Sequence, residues 1–271
     1  MEPFHYVRYD RRKGVWDKMR RLLLVISILL ILASCTKSEA DEKTEILVAA
    51  ASSMTPALTE IATEFEKVNK GIQVTFTFGS SGKLAQQIKN GAPVDVFISA
   101  SSSDMDKLEK NSKIESDTRI DITSNTLVVI RQKDGDNSLL NEENPFTSQI
   151  DHFAIGNPDT VPAGVYAKEA LTKLGEWEVL EPKFVFGKDV RQVLTFVETG
   201  NAEMGIVFTS DAHSSNKVEV ISEIDPTLHS SAVYPGALIS ATKQPKAAST
   251  FLDYMKTPEV QKILVDFGFT N

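Results

Sequence analysis

The chain has 271 residues with a single Cys, and 29 Lys and Arg stand against 37 Asp and Glu for a formal net charge of −8. One Cys cannot form an intramolecular disulfide, and the length exceeds that of a small disulfide-stabilised domain. The acidic balance argues against nucleic acid as a partner, because phosphate contacts need clustered Lys and Arg.

An apolar segment lies near the N-terminus. Residues 22–33, LLLVISILLILA, carry no charge, follow Arg20 and Arg21, and end two residues before Cys35. A basic start, a short apolar stretch and small residues at its end are typical of a secretory signal peptide. Twelve helical residues reach about 18 Å, whereas roughly 20 residues are needed to cross a bilayer. We therefore predict a signal peptide over residues 1–34.

The segments on either side of this signal differ from a folded domain. Residues 1–18 fit neither a signal peptide nor the folded body, so we expect translation to start at Met19. The sequence LASC, which ends at Cys35, resembles the lipobox of bacterial lipoproteins, in which the Cys is lipidated and becomes the mature N-terminus. Residues 35–44 are polar and charged, as expected of a tether.

The charge of the folded body differs from that of the whole chain. Residues 1–34 hold seven basic and three acidic residues, so the remainder has 22 basic and 34 acidic residues and a net charge of −12. Any anion that this body binds must be held by local groups, since the overall field repels it.

From Glu45 onward, short apolar runs alternate with amphipathic stretches. Continuous apolar runs indicate strands that are buried on both faces, and a 3.6-residue periodicity indicates helices. The predicted strands are 46–50, 72–78, 94–99, 127–130, 153–155, 184–186, 205–208 and 218–221, and the predicted helices are 56–68, 84–90, 104–109, 163–174, 189–198 and 247–255. This alternation predicts an α/β fold with largely parallel sheets.

Two strand-to-helix junctions are rich in serine. Ser52 and Ser53 follow the first predicted strand and precede Pro56, and Ser80 and Ser81 lie between glycines after the second. Helix N-termini carry unpaired N–H donors and a positive dipole end, so hydroxyls beside them can complete an anion site. The alternative is that these serines only cap their helices. Two such junctions in one lobe favour binding.

A phosphate-binding loop, a histidine metal site and a catalytic serine have less support in the sequence. The segment FGSSGKL lacks the first Gly and the final Ser or Thr of a phosphate-binding loop, because Thr77 and Leu84 occupy those positions. The four His residues are scattered without metal-ligand spacing, and no G-x-S-x-G motif occurs. A serine hydrolase that uses Ser52 or Ser81 remains an alternative, but the sequence shows no recognisable general base that would activate either serine.

From residue 46 to residue 270 the sequence resembles the molybdate-binding proteins of bacterial ABC importers. The resemblance rests on AAASSMT (49–55), FGSSGKLAQQI (78–88), GAPVDVFISA (91–100), NPDTVPAGVYAKEALTKLG (157–175), DVRQVLTFVETGNAEMGIVF (189–208) and YMKTPEVQKILVDFGFT (254–270). It implies a type II periplasmic-binding-protein fold, with two α/β lobes joined by two crossover strands near 125–130 and 231–239. Lobe 1 would comprise residues 45–124 and 237–271, and lobe 2 residues 125–236.

The resemblance also implies the residues that hold the ligand. Ser52 and Ser81 would donate hydroxyl hydrogen bonds from lobe 1, and Ala163 and Val190 would donate backbone N–H groups from lobe 2.

The sequence of lobe 2 independently agrees with this assignment. Pro162 and the capping residue Asp189 place Ala163 and Val190 in the first turns of predicted helices, where N–H groups lack intrahelical acceptors.

Phe208 departs from the pattern of the family, whose members commonly offer a Tyr hydroxyl at this position. A hydrogen bond to a charged ligand contributes roughly 1.5–3 kcal/mol, so either affinity falls or Thr209, a backbone amide or water supplies the donor. Arg191 lies beside the site, but we expect its charge to be partnered outside the pocket.

We therefore expect an extracytoplasmic, lipid-anchored monomer that binds molybdate, and tungstate, and passes it to an ABC permease with its ATPase. The resemblance implies no enzymatic activity and no cofactor, with molybdenum present only as molybdate on the residues named above. Sulfate, phosphate or another oxyanion is the alternative ligand. A sensory or adhesion lipoprotein without a transport role is the remaining alternative.

Overall fold

The computed structural model describes Arg20 and residues 43–135, 144–147 and 149–270. The predicted signal peptide, the lipidation site Cys35 and most of the tether lie outside the described residues, apart from Arg20. None of the helices in the described part is both long and apolar enough to cross a bilayer.

Five strands form the first sheet. They are β1 (Thr44–Ala51), β2 (Ile72–Gly79), β3 (Val96–Ile98), β4 (Ile120–Asn125) and β10 (Ala232–Leu238), in the spatial order β2-β1-β3-β10-β4. β1 pairs in parallel with β2 and β3, whereas β10 is antiparallel to β3 and β4. The carboxyl ends of β1, β2 and β3 therefore lie at one edge of the sheet.

Helices cover this sheet. They are α1 (Thr55–Val68), α2 (Ser81–Lys89), α3 (Ser102–Lys110), α8 (Pro245–Tyr254) and α9 (Pro258–Asp266). Helix α1 buries Leu58, Ile61 and Phe65, whose spacing forms one apolar stripe. The Phe65 ring meets Phe251 of α8 edge-on at 5.2 Å between centroids, so packed aromatic rings join the two helices.

Five further strands form the second sheet. They are β5 (Leu127–Gln132), β6 (Phe153–Gly156), β7 (Phe184–Gly187), β8 (Met204–Phe208) and β9 (Val218–Glu223), in the order β7-β6-β8-β5-β9. β6 is parallel to β7 and β8, and β5 is antiparallel to β8 and β9. The accompanying helices are α4 (Pro162–Leu174), α5 (Trp177–Leu180), α6 (Val190–Glu198) and α7 (Thr209–His213).

The chain passes between the sheets twice. Only Thr126 separates the end of β4 from the start of β5, and the return runs from Glu223 at the end of β9 to Ala232 at the start of β10. The structure confirms an α/β fold with two lobes joined by two crossings. Each sheet with its helices is called a lobe below, lobe 1 being the one that contains β1.

Each predicted strand and helix is present, but several elements were not predicted. Strand β4, with the sequence IDITSN, has few apolar residues. Strand β10 was not among the strands predicted from apolar runs, although the resemblance placed a crossover strand near 231–239, and it contains Pro235 at a register shift, where proline is tolerated in a sheet. Helices α5, α7 and α9 were also missed. The prediction of parallel sheets holds for three strands of each sheet.

The strand pairing also bears on the division into lobes. β10 pairs with β3 and β4 from Ala232 onward, so residues 232–236 belong to the first sheet, whereas the sequence-based division assigned them to lobe 2. An apolar run carries no information about which of two sheets it joins, and partner strands more than 100 residues away decide it.

Candidate ligand-binding site

A small cavity lies between the lobes, where strand ends of the first sheet face helix starts of the second. Its volume is about 10 Å³, which is roughly the space of one water molecule. The structure brings together all five positions predicted to hold the ligand, Ser52, Ser81, Ala163, Val190 and Phe208. None of the described residues that line this cavity is charged, so a ligand there meets only neutral groups.

Lobe 1 contributes serines from the ends of neighbouring strands. Ser52 follows β1 and begins a 3₁₀ turn, and Ser81 begins α2 two residues after β2. Ser81 is fully buried, and its Oγ accepts a hydrogen bond from the Ala100 N–H at 2.9 Å. Because this bond uses the oxygen as an acceptor, the Ser81 proton is free to be donated into the cavity.

Lobe 2 contributes the start of α4. Pro162 is the first residue of this helix and has no N–H, so Ala163 carries the first N–H, for which the helix contains no acceptor. The helix start lies directly on the end of β6, since a Cβ atom at Gly164 would overlap the Gly156 carbonyl. Glycine at position 164 therefore permits the close approach that sets Ala163 at the cavity.

The start of α6 provides a second backbone donor from lobe 2. Asp189 caps the helix, as the sequence predicted, with its carboxylate accepting a hydrogen bond from the Gln192 N–H at 2.9 Å. Val190 is the first helical residue, and its N–H likewise lacks an intrahelical acceptor.

The charged groups beside α6 are partnered away from the cavity. Arg191 Nη1 donates to Ser214 Oγ at 2.6 Å and lies 3.7 Å from Asp211 Oδ1, which confirms the expectation that its charge is used outside the pocket. Asp211 is fully buried, and burial raises its pKa from an ordinary 3.8 to about 7, against the opposing effect of Arg191.

Phe208 closes one side of the cavity with an apolar ring. The side chain is 1% exposed, and its ring lies 6.4 Å from that of Tyr166 and 5.8 Å from that of Tyr234, both edge-on. Thr209, one candidate for the missing donor, is not among the described residues that line the cavity; its N–H donates to the Thr126 carbonyl, and its hydroxyl shares a 2.7 Å hydrogen bond with the Thr126 hydroxyl. A hydrogen bond from Thr209 to the ligand therefore stays a prediction that these contacts do not support.

In the described part of the chain, hydrogen bonds of Gly82 and Tyr166 join the lobes across the cleft. The Gly82 N–H in the first turn of α2 donates to the Thr160 carbonyl at 3.1 Å, and the Tyr166 hydroxyl of α4 donates to the Ala100 carbonyl at 3.1 Å. Burial raises the pKa of Tyr166 to about 12, so the hydroxyl keeps its proton at physiological pH. We call these two bonds the cleft contacts.

A buried polar cluster lies where the chain crosses between the sheets. Asn125 Nδ2 donates to Ser210 Oγ at 2.8 Å and to Tyr234 Oη at 3.4 Å, and Tyr234 Oη also shares a 2.8 Å hydrogen bond with Ser53 Oγ. This hinge cluster of Ser53, Asn125, Ser210 and Tyr234 was not predicted. Its members lie up to 181 residues apart in the chain, and no local sequence pattern marks them.

The site lacks the features of a serine hydrolase. Ser81 is paired with a backbone N–H instead of a base, and none of the described His side chains lines the cavity. Lys83 is exposed and does not line the cavity either.

This architecture, with two lobes, two crossings and neutral donors converging between them, defines a solute-binding protein. The chain belongs to the bacterial extracellular solute-binding protein family, which matches residues 46–270. Members of this family are binding proteins for transport and not enzymes.

Two individual proteins are similar to this chain over most of their length. The chain is 40% identical over 235 residues to the molybdate-binding protein ModA of Escherichia coli, covering 85% of this chain and 90% of ModA. It is 35% identical over 260 residues to YvgL of Bacillus subtilis, covering 94% and 99% of the two chains. YvgL is named, provisionally, as an ABC transporter substrate-binding lipoprotein.

Solved structures agree with this fold. The periplasmic molybdate-binding protein of Azotobacter vinelandii superposes with a TM-score of 0.76 at 25% identity, covering 83% of this chain and 99% of its own. The sulfate-binding protein SubI of Mycobacterium tuberculosis shares the fold at 15% identity, with a TM-score of 0.71 and coverage of 83% and 86%.

We predict that Gly82→Ala holds the lobes apart. A Cβ atom at this position would lie 2.6 Å from the Thr160 carbonyl oxygen across the cleft, whereas alanine favours the helix by about 1 kcal/mol. Small-angle scattering should show a larger radius of gyration while thermal stability is kept or raised. Lys83→Ala, an exposed neighbour in the same helix, is the control. An unchanged radius for Gly82→Ala would contradict the prediction.

We further predict a pH-dependent stability that originates at Asp211. Between about pH 4 and pH 7 the folded protein keeps a proton on this carboxyl that the unfolded chain has released, so stability falls as pH rises. Asp211→Asn removes this pH-dependent loss of stability. Its free energy of unfolding in urea should exceed that of the wild type by about 1–3 kcal/mol between pH 5 and pH 8. The exposed Asp253→Asn should show no such change. A difference that is independent of pH would refute the role of Asp211.

Proposed function

We propose that this chain captures molybdate, and also tungstate, in the cavity between its lobes and delivers it to an ABC permease with its ATPase. One observation carries the proposal: Ser52, Ser81, Ala163 and Val190 converge from both lobes on one cavity without a charged side chain. The names of the E. coli and A. vinelandii relatives supply the identity of the oxyanion.

The chemistry of the lining suits a fully deprotonated oxyanion. Serine hydroxyls and helix-start N–H groups donate hydrogen bonds, and the oxygens of molybdate only accept them. A protonated oxyanion such as hydrogenphosphate would also need an acceptor, and no carboxylate is among the described residues that line the cavity. The cavity therefore favours dianions without a proton.

Binding also requires the lobes to move. A tetrahedral oxyanion is larger than the roughly one water molecule that a cavity of about 10 Å³ accommodates. The lobes must separate at the two crossings to admit the ion and close again around it. Because donors come from both lobes, the ion favours the closed arrangement by its higher affinity for it.

Size provides the discrimination between molybdate and sulfate, since hydrogen-bond donors alone do not distinguish oxyanions of equal charge. Sulfate remains the alternative ligand, because this chain has Phe208 where the family commonly has a tyrosine hydroxyl.

Titration calorimetry of residues 43–271 with molybdate, tungstate, sulfate and phosphate tests this proposal. We expect molybdate and tungstate to bind at least tenfold more tightly than sulfate and phosphate, a difference of about 1.4 kcal/mol or more. Sulfate binding as tight as molybdate binding would contradict the specificity.

Ser81→Ala should weaken molybdate binding about 10- to 100-fold, because it removes one hydrogen bond to a charged ligand. Ser240→Ala, at an exposed serine after β10, is the matched control and should leave the affinity unchanged. Equal affinities of the two variants would remove Ser81 from the site.

The membrane anchor is a separate proposal. We infer that Cys35 is lipidated after removal of residues 1–34 and that residues 35–44 tether a monomer outside the cell membrane. The lipobox-like sequence supports it, and so does the name of YvgL.

In cells grown with radiolabelled palmitate, we expect the wild-type protein to be labelled and to sediment with membranes. Cys35→Ser should lose the label, because serine cannot form the thioether, whereas Ser38→Ala in the tether should keep it. Labelling of Cys35→Ser at the wild-type level would show that the anchor lies elsewhere.

A further inference from the structure

Ser80 is a buried hydroxyl that the fold does not use. It occupies the N-cap position of α2 with an extended backbone (φ −70°, ψ 138°) and is 4% exposed. A serine at this position ordinarily accepts a hydrogen bond from an N–H in the first turn, but Ser80 makes no such bond. Its Oγ has no hydrogen-bond partner among the described residues.

An unpaired hydroxyl of this kind costs free energy in a folded protein, because burial removes water without providing a replacement. The helix does not require it, since the Ser80 carbonyl already accepts the hydrogen bond from Leu84 N–H at 3.0 Å. Ser80 lines the same cavity as Ser81, Ala163 and Phe208, so the acceptor within its reach is whatever occupies that cavity, a single water in the closed protein or a bound ligand.

The hydroxyls of Ser53, Thr209 and Ser81 each have a hydrogen-bond partner, and Ser52 is already one of the four donors inferred from the resemblance. Ser53 shares its hydrogen bond with Tyr234, and Thr209 bonds to Thr126. The Ser81 oxygen is held by the Ala100 N–H. Phe208, on the opposite side of the cavity, cannot donate.

We propose that Ser80 donates its hydroxyl to the bound oxyanion and replaces the donor that Phe208 does not supply. This inference rests on the proposed molybdate-binding function and adds Ser80 to the four donors inferred from the family resemblance. The number of donors is thereby restored, with the additional hydroxyl coming from lobe 1 instead of lobe 2.

This role gives Ser80→Ala effects of opposite sign on binding and on stability. Without ligand, the substitution removes an unpaired buried polar group, so thermal stability should stay the same or rise. With molybdate, it removes a donor, so affinity should fall about 10- to 100-fold. A serine that only supported the helix would lower stability without ligand.

Calorimetry with molybdate and thermal unfolding with and without molybdate measure both effects on residues 43–271. Ser99→Ala is the matched control, since Ser99 is also buried but exchanges hydrogen bonds with the Ser101 backbone and does not line the cavity. It should lower thermal stability and leave the affinity close to that of the wild type.

Phe208→Tyr tests the exchange of donors directly. In the Ser80→Ala background, the added tyrosine hydroxyl should recover about tenfold or more of the lost affinity. In the wild type, where Ser80 already donates, the gain should be smaller. Interaction between the two positions in this double-mutant cycle is the expected signature.

The outcomes separate this inference from the proposed function. If the wild type does not bind molybdate, the proposed function fails and the inference fails with it. If the wild type binds molybdate and Ser80→Ala binds equally well, the inference alone is overturned. Weaker binding accompanied by lower stability without ligand, or by no recovery from Phe208→Tyr, also overturns it.

Discussion

An oxyanion leaves water only where hydrogen-bond donors replace its hydration, and the described residues that line this cavity offer donors without any positive side chain. The protein around it is acidic, with a net charge of −12 outside residues 1–34, so the long-range field opposes an anion. In the proposed site the favourable contacts come from groups whose positions the fold sets, namely the N–H groups of Ala163 and Val190 and the hydroxyls at the starts of lobe 1 helices. Since each donor carries a large share of the binding, exchanging one for a phenyl ring at position 208 is a substantial change.

The same constraint explains why two lobes are needed. One sheet edge presents only a few helix starts on one side of an ion, and a second sheet must supply donors from the opposite side. In the proposed function the site is assembled by closure, and the cleft contacts from Gly82 and Tyr166 are present in the same arrangement. At the crossings, Asn125 and Tyr234 bury polar groups that hydrogen-bond to each other and to neighbouring serines. A paired polar cluster favours one geometry over alternatives, which suits a joint between two rigid bodies.

Much of the site could be predicted because its signals are local. Pro162 and Asp189 mark helix starts by their own chemistry, and the serines after β1 and β2 stand directly before helices. The hinge cluster could not be predicted, because Ser53 and Tyr234 meet only after both sheets form. For the same reason the sequence did not place β10 in the first sheet from Ala232, nor reveal that Asp211 is buried. Ser80 and Ser81 are adjacent and identical in type, and only the folded structure shows that Ser81 is held by Ala100 while Ser80 has no partner among the described residues.

Phe208 connects these parts of the molecule. Its ring packs against Tyr166, which makes a cleft contact, and against Tyr234 of the hinge cluster, while it also lines the cavity. Of these two ring contacts only the one with Tyr234 joins the lobes, and an edge-on contact of this kind contributes roughly 0.5–1.5 kcal/mol, whether or not an ion is present. A tyrosine hydroxyl would contribute only when the ion is bound. A tyrosine would keep the same ring packing, so what position 208 lacks is only the stabilisation that its hydroxyl would add with the ion bound, and the proposed donor Ser80 would supply that part from lobe 1.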